Sequence, residues 1–235
     1  TWLRFPVGER YRYSNLGFDL AGYILLLRGG MPFSQWLTQM LFEPLGMKDS
    51  TVATDVYAAR ANRAIGHEKA YDAVPLKTPL IPSGGVYTSA RDIAAYCRFH
   101  LDRGKVAGKT LLHEKLWREM HPFPFGGDYS LGVIRNELRY GGTDLRWLSH
   151  AGGGFGFGCV FNYCPQAGFA WVAMFNRPVP AAYRFGQALI DEALTRRFGP
   201  AKPRLPIADL SPIDLPDAWL QKYAGHYVAR NSAVD

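Results

Sequence analysis

The spacing of apolar residues changes character near Tyr129, and that change constrains the fold more than any other feature of the chain. Upstream of it, apolar positions recur at helical spacing. Leu16, Leu20, Ile24 and Leu27 share one face of a helix that starts at Asn15, a candidate N-cap, and ends at Gly29-Gly30. Pro32 suits the start of a second helix carrying Phe33, Trp36, Leu37, Met40 and Leu41, stopped by Glu43-Pro44-Leu45-Gly46-Met47. Ser89-Ala90-Arg91-Asp92 reads as a capping-box variant opening a third helix. Ile93, Tyr96, Cys97 and Leu101 form its apolar face, and Gly104 ends it. Residues 111–120 read as a short further helix. Downstream, Leu131, Val133 and Ile134 suggest one strand and residues 147–150 another. Residues 158–163 and 169–176 read as a hairpin turning at Pro165-Gln166-Ala167-Gly168. A closing helix over 183–198 places Phe185, Leu189, Ala193 and Leu194 on one face.

Residues 48–82 are poorly periodic and carry Pro75, Pro79 and Pro82, so they read as long loops with short strands. Stretches of that kind inside a domain often line a site. Ser83-Gly84-Gly85-Val86 reads as a tight turn. Residues 199–216 hold Pro200, Pro203, Pro206, Pro212 and Pro216, a linker composition. The expected organisation is therefore a main domain over 1–198, a linker over 199–216 and a further segment over 217–235.

Apolar residues make up 48% of the chain, enough for a sizeable core. The net charge of +7 is scattered, with acidic residues interleaved and no basic block, which reads as a basic surface and not as a nucleic-acid footprint. Such a charge mildly favours anionic, carboxylated substrates. No apolar run approaches the ~20 residues of a membrane span. Cys159 and Cys164, five positions apart on or beside a strand, face opposite ways and should not pair with each other. With Cys97 on a helix, all three read as small apolar residues, and no cysteine–histidine cluster has zinc spacing. No metal or cofactor is expected.

Two short stretches carry chemistry. Tyr13-Ser14-Asn15 places a phenol and a carboxamide two positions apart. A phenol titrates near pH 10 and becomes a useful base only beside a cation. The bland alternative is a core tyrosine followed by a helix cap. His150-Ala151-Gly152-Gly153 places a basic ring before small residues that allow close backbone approach. Its bland alternative is a glycine-rich turn, since Gly152 to Gly158 is glycine-dense. Other motifs fail. Gly104 to Gly108 leaves three residues between glycines where a phosphate loop needs four, and there is no Gly-x-Ser-x-Gly elbow. Ser14 has no basic neighbour at catalytic spacing and reads as filler within its motif.

Together the two stretches resemble two of the three active-site motifs of the serine β-lactamase and penicillin-binding-protein superfamily, nearest its class C and esterase branch. Glu43 to Met47 and the Gly84-Gly85 and Ser89-Ala90-Arg91-Asp92 elements strengthen the likeness, which covers residues 1–198. The resemblance implies an α+β fold: an antiparallel sheet flanked by helices, with an inserted mainly helical region. It implies a third motif, Ser-x-x-Lys, upstream of Tyr13. No serine of this chain is followed three positions later by lysine, so the chain is expected to be incomplete at its N-terminus, with a complementing N-terminal segment. By the resemblance, Tyr13 and the missing lysine move the proton, and His150 and Asn15 orient substrate. Ala151 and Gly152 line the strand, and the Gly153 N–H faces the oxyanion. Asn176 lies where class C relatives approach the substrate carboxylate. Histidine in place of lysine resembles the esterase and peptidase branches more than efficient β-lactamases. The substrate implied is a small ester, lactam or peptide. The other reading is a non-catalytic module that binds peptide or cell-wall ligands. The last residues, 217–235, resemble the opening strand of a C-terminal β extension.

Overall fold

The computed structural model describes residues 5–68, 72–73, 81–123, 127–177, 180–201, 216–217 and 221. The chain divides into one compact unit over Thr1–Lys202 and a second over Pro203–Asp235. The expected linker and terminal segment lie almost wholly outside the described residues. Within the second unit the Gln221 N–H donates to the Asp217 carbonyl, closing one helical turn.

The first unit opens with helix α1 (Asn15–Gly29), followed by α2 (Phe33–Leu37), a π-helical stretch (Thr38–Phe42) and α3 (Glu43–Leu45). Short elements follow: α4 (Thr54–Ala58), the paired β1 (His67–Glu68) and β2 (Asp72–Ala73), and α5 (Ile81–Gly84). Helix α6 (Ala90–Leu101) leads to a small hairpin, β3 (Lys105–Val106) and β4 (Lys109–Thr110), and to α7 (Glu114–Glu119). The main sheet is an antiparallel meander of β5 (Ile134–Tyr140), β6 (Thr143–Gly154), β7 (Phe157–Cys164) and β8 (Phe169–Phe175), closed by α8 (Pro180–Phe198). This is the α+β arrangement expected from the sequence.

Side-chain alternation along β6 gives the sheet two faces. Leu145 and Trp147 point one way and pack with Tyr140, Cys164, Ile190 and Leu194 beneath α8. Leu148 points the other way, with Tyr163, Val133 and Cys97 of α6. His150 shares that second face, because its cross-strand partner Phe161 packs edge-on against Tyr96 of α6. A third cluster, Phe42, Leu45, Met47 and Phe99, joins α6 to the early helices. Cys97, Cys159 and Cys164 are free thiols, the last two on opposite faces of the sheet as their spacing requires.

Several local expectations change. The N-cap of α1 is Ser14, not Asn15: the Ser14 hydroxyl accepts from the Gly17 N–H at 3.0 Å, and Asn15 is the first helical residue. The face carrying Leu16, Leu20, Ile24 and Leu27 is exposed, whereas α1 is fixed on its other side. There the Asp19 carboxylate accepts from the Ser83 N–H at 3.0 Å, and Gly22 lies so close to Pro82 that no Cβ would fit. The second helix does not run straight into Pro44. Proline lacks an N–H and crowds the carbonyl four residues earlier, and the chain widens into a π turn there. That turn buries Phe42 and leaves Met40 exposed. On α8 the buried stripe is Ile190 and Leu194, while Phe185 and Leu189 are exposed. Ser83 and Gly84 belong to the single turn of α5, not to a free turn. Helix α6 keeps its expected cap, with Ser89 Oγ accepting from the Asp92 N–H at 3.2 Å. The buried Asp92 carboxylate turns outward from that cap to bind the Asp49 N–H and the Ser50 hydroxyl.

Between α6, α7 and the sheet lies a histidine pair, His100 buried and His121 half-buried. His100 is fully buried and stacks on Tyr163 at 4.7 Å, with neither ring nitrogen hydrogen-bonded. His121 bonds the Trp117 carbonyl and the Tyr163 hydroxyl. Burial, reinforced by His121, pushes the His100 pKa down to about 3, and burial lowers that of His121 despite its bond to Trp117. Both folded-state values lie below the ordinary value near 6.5, so below that pH the unfolded chain binds protons that the folded chain refuses. Their contribution is fully present above pH 6.5 and is lost as pH falls towards 3. The loss is about 1.4 kcal/mol per pH unit for the His100 proton. Urea denaturation from pH 7 to 4 should show this slope, flattened in His100→Phe; equal slopes in both proteins would remove His100 from acid sensitivity.

Candidate active site

The residues just before α1 belong to no helix or strand, and Tyr11 and Tyr13, two positions apart, both reach the same ring. Tyr129, just before β5, receives them. Tyr11 stacks on it at 4.9 Å and 20°, and Tyr13 meets it edge-on at 5.8 Å. Tyr129 in turn hydrogen-bonds His150 Nε2 at 2.9 Å. The Tyr13 and His150 rings lie 6.3 Å apart between centroids. Tyr13 is about half exposed, at 53%. Asn15 follows on the first turn of α1, also exposed. Since Ser14 is occupied by the cap, Ser14→Ala should cost about 1 kcal/mol in urea denaturation. A cost near zero would deny it that role.

The second motif lies in β6, an inner strand of the sheet and not an edge strand. It is nevertheless open on one side. Strand β5 pairs with β6 only from Thr143 to Ser149, so the His150–Gly154 segment runs beyond it. Among the described residues its remaining partner is β7, through His150↔Phe161, Gly152↔Cys159 and Gly153↔Gly158. Ala151, Gly152 and Gly153 are exposed. A Cβ on Gly153 would meet open space, and one on Gly152 would press on the Cys159 sulfur at 3.0 Å. An extended chain can therefore be added along this segment by backbone hydrogen bonds.

Burial, then Tyr11 and Tyr13, push the Tyr129 hydroxyl up to about 12, so it stays protonated at neutral pH. Burial and the neighbouring Tyr13 likewise raise Tyr11. Tyr11 and Tyr129 were not legible as site residues. Tyr129 follows a glycine-containing stretch with no motif around it, and the one available signal was the Tyr-x-Tyr alternation at 11 and 13.

Asn176 lies elsewhere, at the end of β8. Its side-chain amide donates to the Ile65 carbonyl at 3.1 Å, and its backbone carbonyl accepts from the His67 N–H at 2.9 Å. Phe175, Gly158 and Gly153 form one row across the sheet, which puts the two motif ends roughly two strand spacings, ~10 Å, apart. Tyr13 and His150 thus meet at one corner, with Asn15 two residues beyond Tyr13 on α1, while Asn176 holds the 65–67 segment.

The β-lactamase family model matches residues 1–195. The chain belongs to the β-lactamase family. A curated relative, unguisins hydrolase ungD′ of Aspergillus campestris, is 27% identical over 82% of the chain and 38% of its own length. D-alanyl-D-alanine-carboxypeptidase/endopeptidase AmpH of Escherichia coli K12 is 31% identical over 42% of the chain and 25% of its length. A β-lactamase of Lysobacter lactamgenus is 30% identical over 58% of the chain and 35% of its length. The chain therefore spans between a quarter and two fifths of these curated relatives. Solved β-lactamase-like folds agree. The penicillin-binding protein homologue of Pyrococcus abyssi superposes with a TM-score of 0.65 at 21% identity, covering 80% of this chain and 44% of that one. The class C β-lactamase of Rhodobacter sphaeroides gives 0.62 at 18%, covering 77% and 60%. Among the described residues, no helix is long and apolar enough to cross a membrane.

Proposed function

We propose that the protein acts as a serine hydrolase that passes through an acyl-enzyme on an ester, amide or lactam carbonyl. The observation that carries this reading is the meeting of Tyr13 with His150, far apart in sequence, beside the open His150–Gly154 segment. The nucleophile comes from an upstream Ser-x-x-Lys segment, whose lysine is the cation beside which the Tyr13 oxygen acts as base. The serine oxygen adds to the carbonyl carbon while its proton passes to the Tyr13 oxygen. The tetrahedral oxyanion is held by the Gly153 N–H together with the serine's own N–H. Collapse breaks the bond to the leaving alcohol or amine, which takes the proton from Tyr13. A water then attacks the acyl carbon, giving its proton to Tyr13, and the departing serine oxygen takes that proton back. Asn15 and His150 orient the substrate, with Ala151 and Gly152 along the strand that carries it.

The test is intact mass of the full-length protein after brief incubation with p-nitrophenyl butyrate and, separately, with a penicillin. The expected result is an acyl adduct on the serine of a Ser-x-x-Lys motif, formed with at least one reagent. A folded protein that gains no mass and releases no p-nitrophenol would set the hydrolase aside in favour of a binding module.

A further inference from the structure

We propose that Tyr129 is a positioning residue that holds His150 as a neutral imidazole with its proton on Nδ1, and that the site therefore prefers uncharged acyl donors to carboxylate-bearing ones. The tautomer follows from the two hydrogen bonds of the ring. Nδ1 lies 2.7 Å from the Ala151 carbonyl oxygen, which can only accept, so Nδ1 carries a proton. Nε2 lies 2.9 Å from the Tyr129 hydroxyl. If Nε2 also carried a proton, that phenol would have to turn its own proton elsewhere, and His150 is its one hydrogen-bond partner among the described residues. With Nε2 bare, all three groups are satisfied: Tyr129 donates to Nε2 and Nδ1–H donates to Ala151. This is the opposite of the tautomer that free histidine favours, and it is imposed by the partner of the second nitrogen.

The phenol is itself held in place. Tyr11 covers one face of the Tyr129 ring and Tyr13 meets it edge-on. The adjacent carboxylate, Asp128, points to Arg135 at 3.3 Å. The consequence for substrate choice rests on the hydrolase reading above. A cation at the His150 position would attract a substrate carboxylate, as the net positive charge of the chain also would. A neutral ring whose proton and lone pair are both engaged has no charge to offer, and gains a free donor only by breaking a bond.

The experiment is heteronuclear NMR of the imidazole nitrogens in the full-length protein at pH 7, with His150 assigned by comparison with His150→Gln. The expected wild-type spectrum is a neutral ring protonated on Nδ1. In Tyr129→Phe, which keeps the stacked ring, the proton should redistribute towards Nε2. The His100 and His121 signals report whether the variant has kept its fold. An imidazolium or an Nε2–H tautomer in the wild type overturns the proposal even if Tyr129→Phe does not fold, and so does a tautomer that ignores the substitution. A second measurement compares kcat/KM for p-nitrophenyl butyrate and for the p-nitrophenyl ester of succinic acid, which adds one carboxylate. The neutral ester should lead by at least tenfold, with the gap narrowing in His150→Lys. A lead for the charged ester overturns the substrate preference. If neither ester is turned over, the hydrolase reading fails, while the spectrum still decides the role of Tyr129.

Discussion

Replacing Tyr13 by phenylalanine in the full-length protein should lower kcat for an activated ester at least ~100-fold, the low end of what a positioned general acid–base group contributes. The effect should fall on kcat more than on KM. Phenylalanine keeps the edge-on contact with Tyr129 and the proximity to the His150 ring, so the aromatic corner stays built and substrate can still bind. On the proposed mechanism, what would be lost is the one oxygen that collects the serine proton and returns it to the leaving group. Stopped-flow release of p-nitrophenol measures the acylation step directly. A variant within a few-fold of wild type would remove Tyr13 from proton transfer and leave it as a wall of the site.

The largest loss of stability from a single methyl group is expected in Gly141→Ala. Gly141 and Gly142 form the β5–β6 turn with φ of 51° and 83°, both in the left-handed region that this hairpin turn requires. An alanine there carries backbone strain of about 1–2 kcal/mol. At Gly141 there is a second cost. Its Cβ would overlap the Phe198 carbonyl oxygen at the end of α8, where Gly141 also donates to the Pro200 carbonyl at 2.9 Å. The turn and the end of α8 would have to separate, bringing the total to about 3 kcal/mol. Gly142→Ala is the matched control, since its Cβ would meet nothing within 4 Å. Chemical denaturation of the two variants should place Gly141→Ala well below Gly142→Ala. Equal losses would show that strain alone acts and that the contact with α8 yields freely.

What could be read from the sequence followed from how strongly each segment's pattern was tied to its surroundings. The β7–β8 hairpin and α6 form where their spacing and punctuation put them, because local pattern and tertiary packing agree there. Strand β5 was barely visible. As an outer strand of the sheet it alternates Arg135, Glu137 and Arg139 with its few apolar residues, a composition that protects an edge and hides the strand period. Helix α1 misled in the other direction. It is apolar nearly all round, so spacing could not say which side would pack. The answer came from Asp19 and Gly22, whose partners Ser83 and Pro82 lie far along the chain. The site divides in the same way. Tyr13, Asn15 and His150–Gly153 were legible as short motifs. Tyr129 was not, because its role exists only through a bond to His150 and a stack with Tyr11, neither of which leaves a local trace.

The alternation along β6 also governs which inherited changes the chain can survive. Trp147 belongs to one core and Leu148 to the other, with His150 on the same face as Leu148, so a single residue gained or lost between Thr143 and His150 would exchange the two sets. The indole would turn to the α6 face and the imidazole to the α8 face. Point substitutions under α8 change volumes and leave that parity intact. The Phe155-Gly156 tip past the motif is held as well, since the His67 N–H donates to the Gly156 carbonyl at 3.1 Å. Descendants of this chain should thus tolerate volume-conserving substitutions beneath α8, while the length of β6 up to His150 stays fixed.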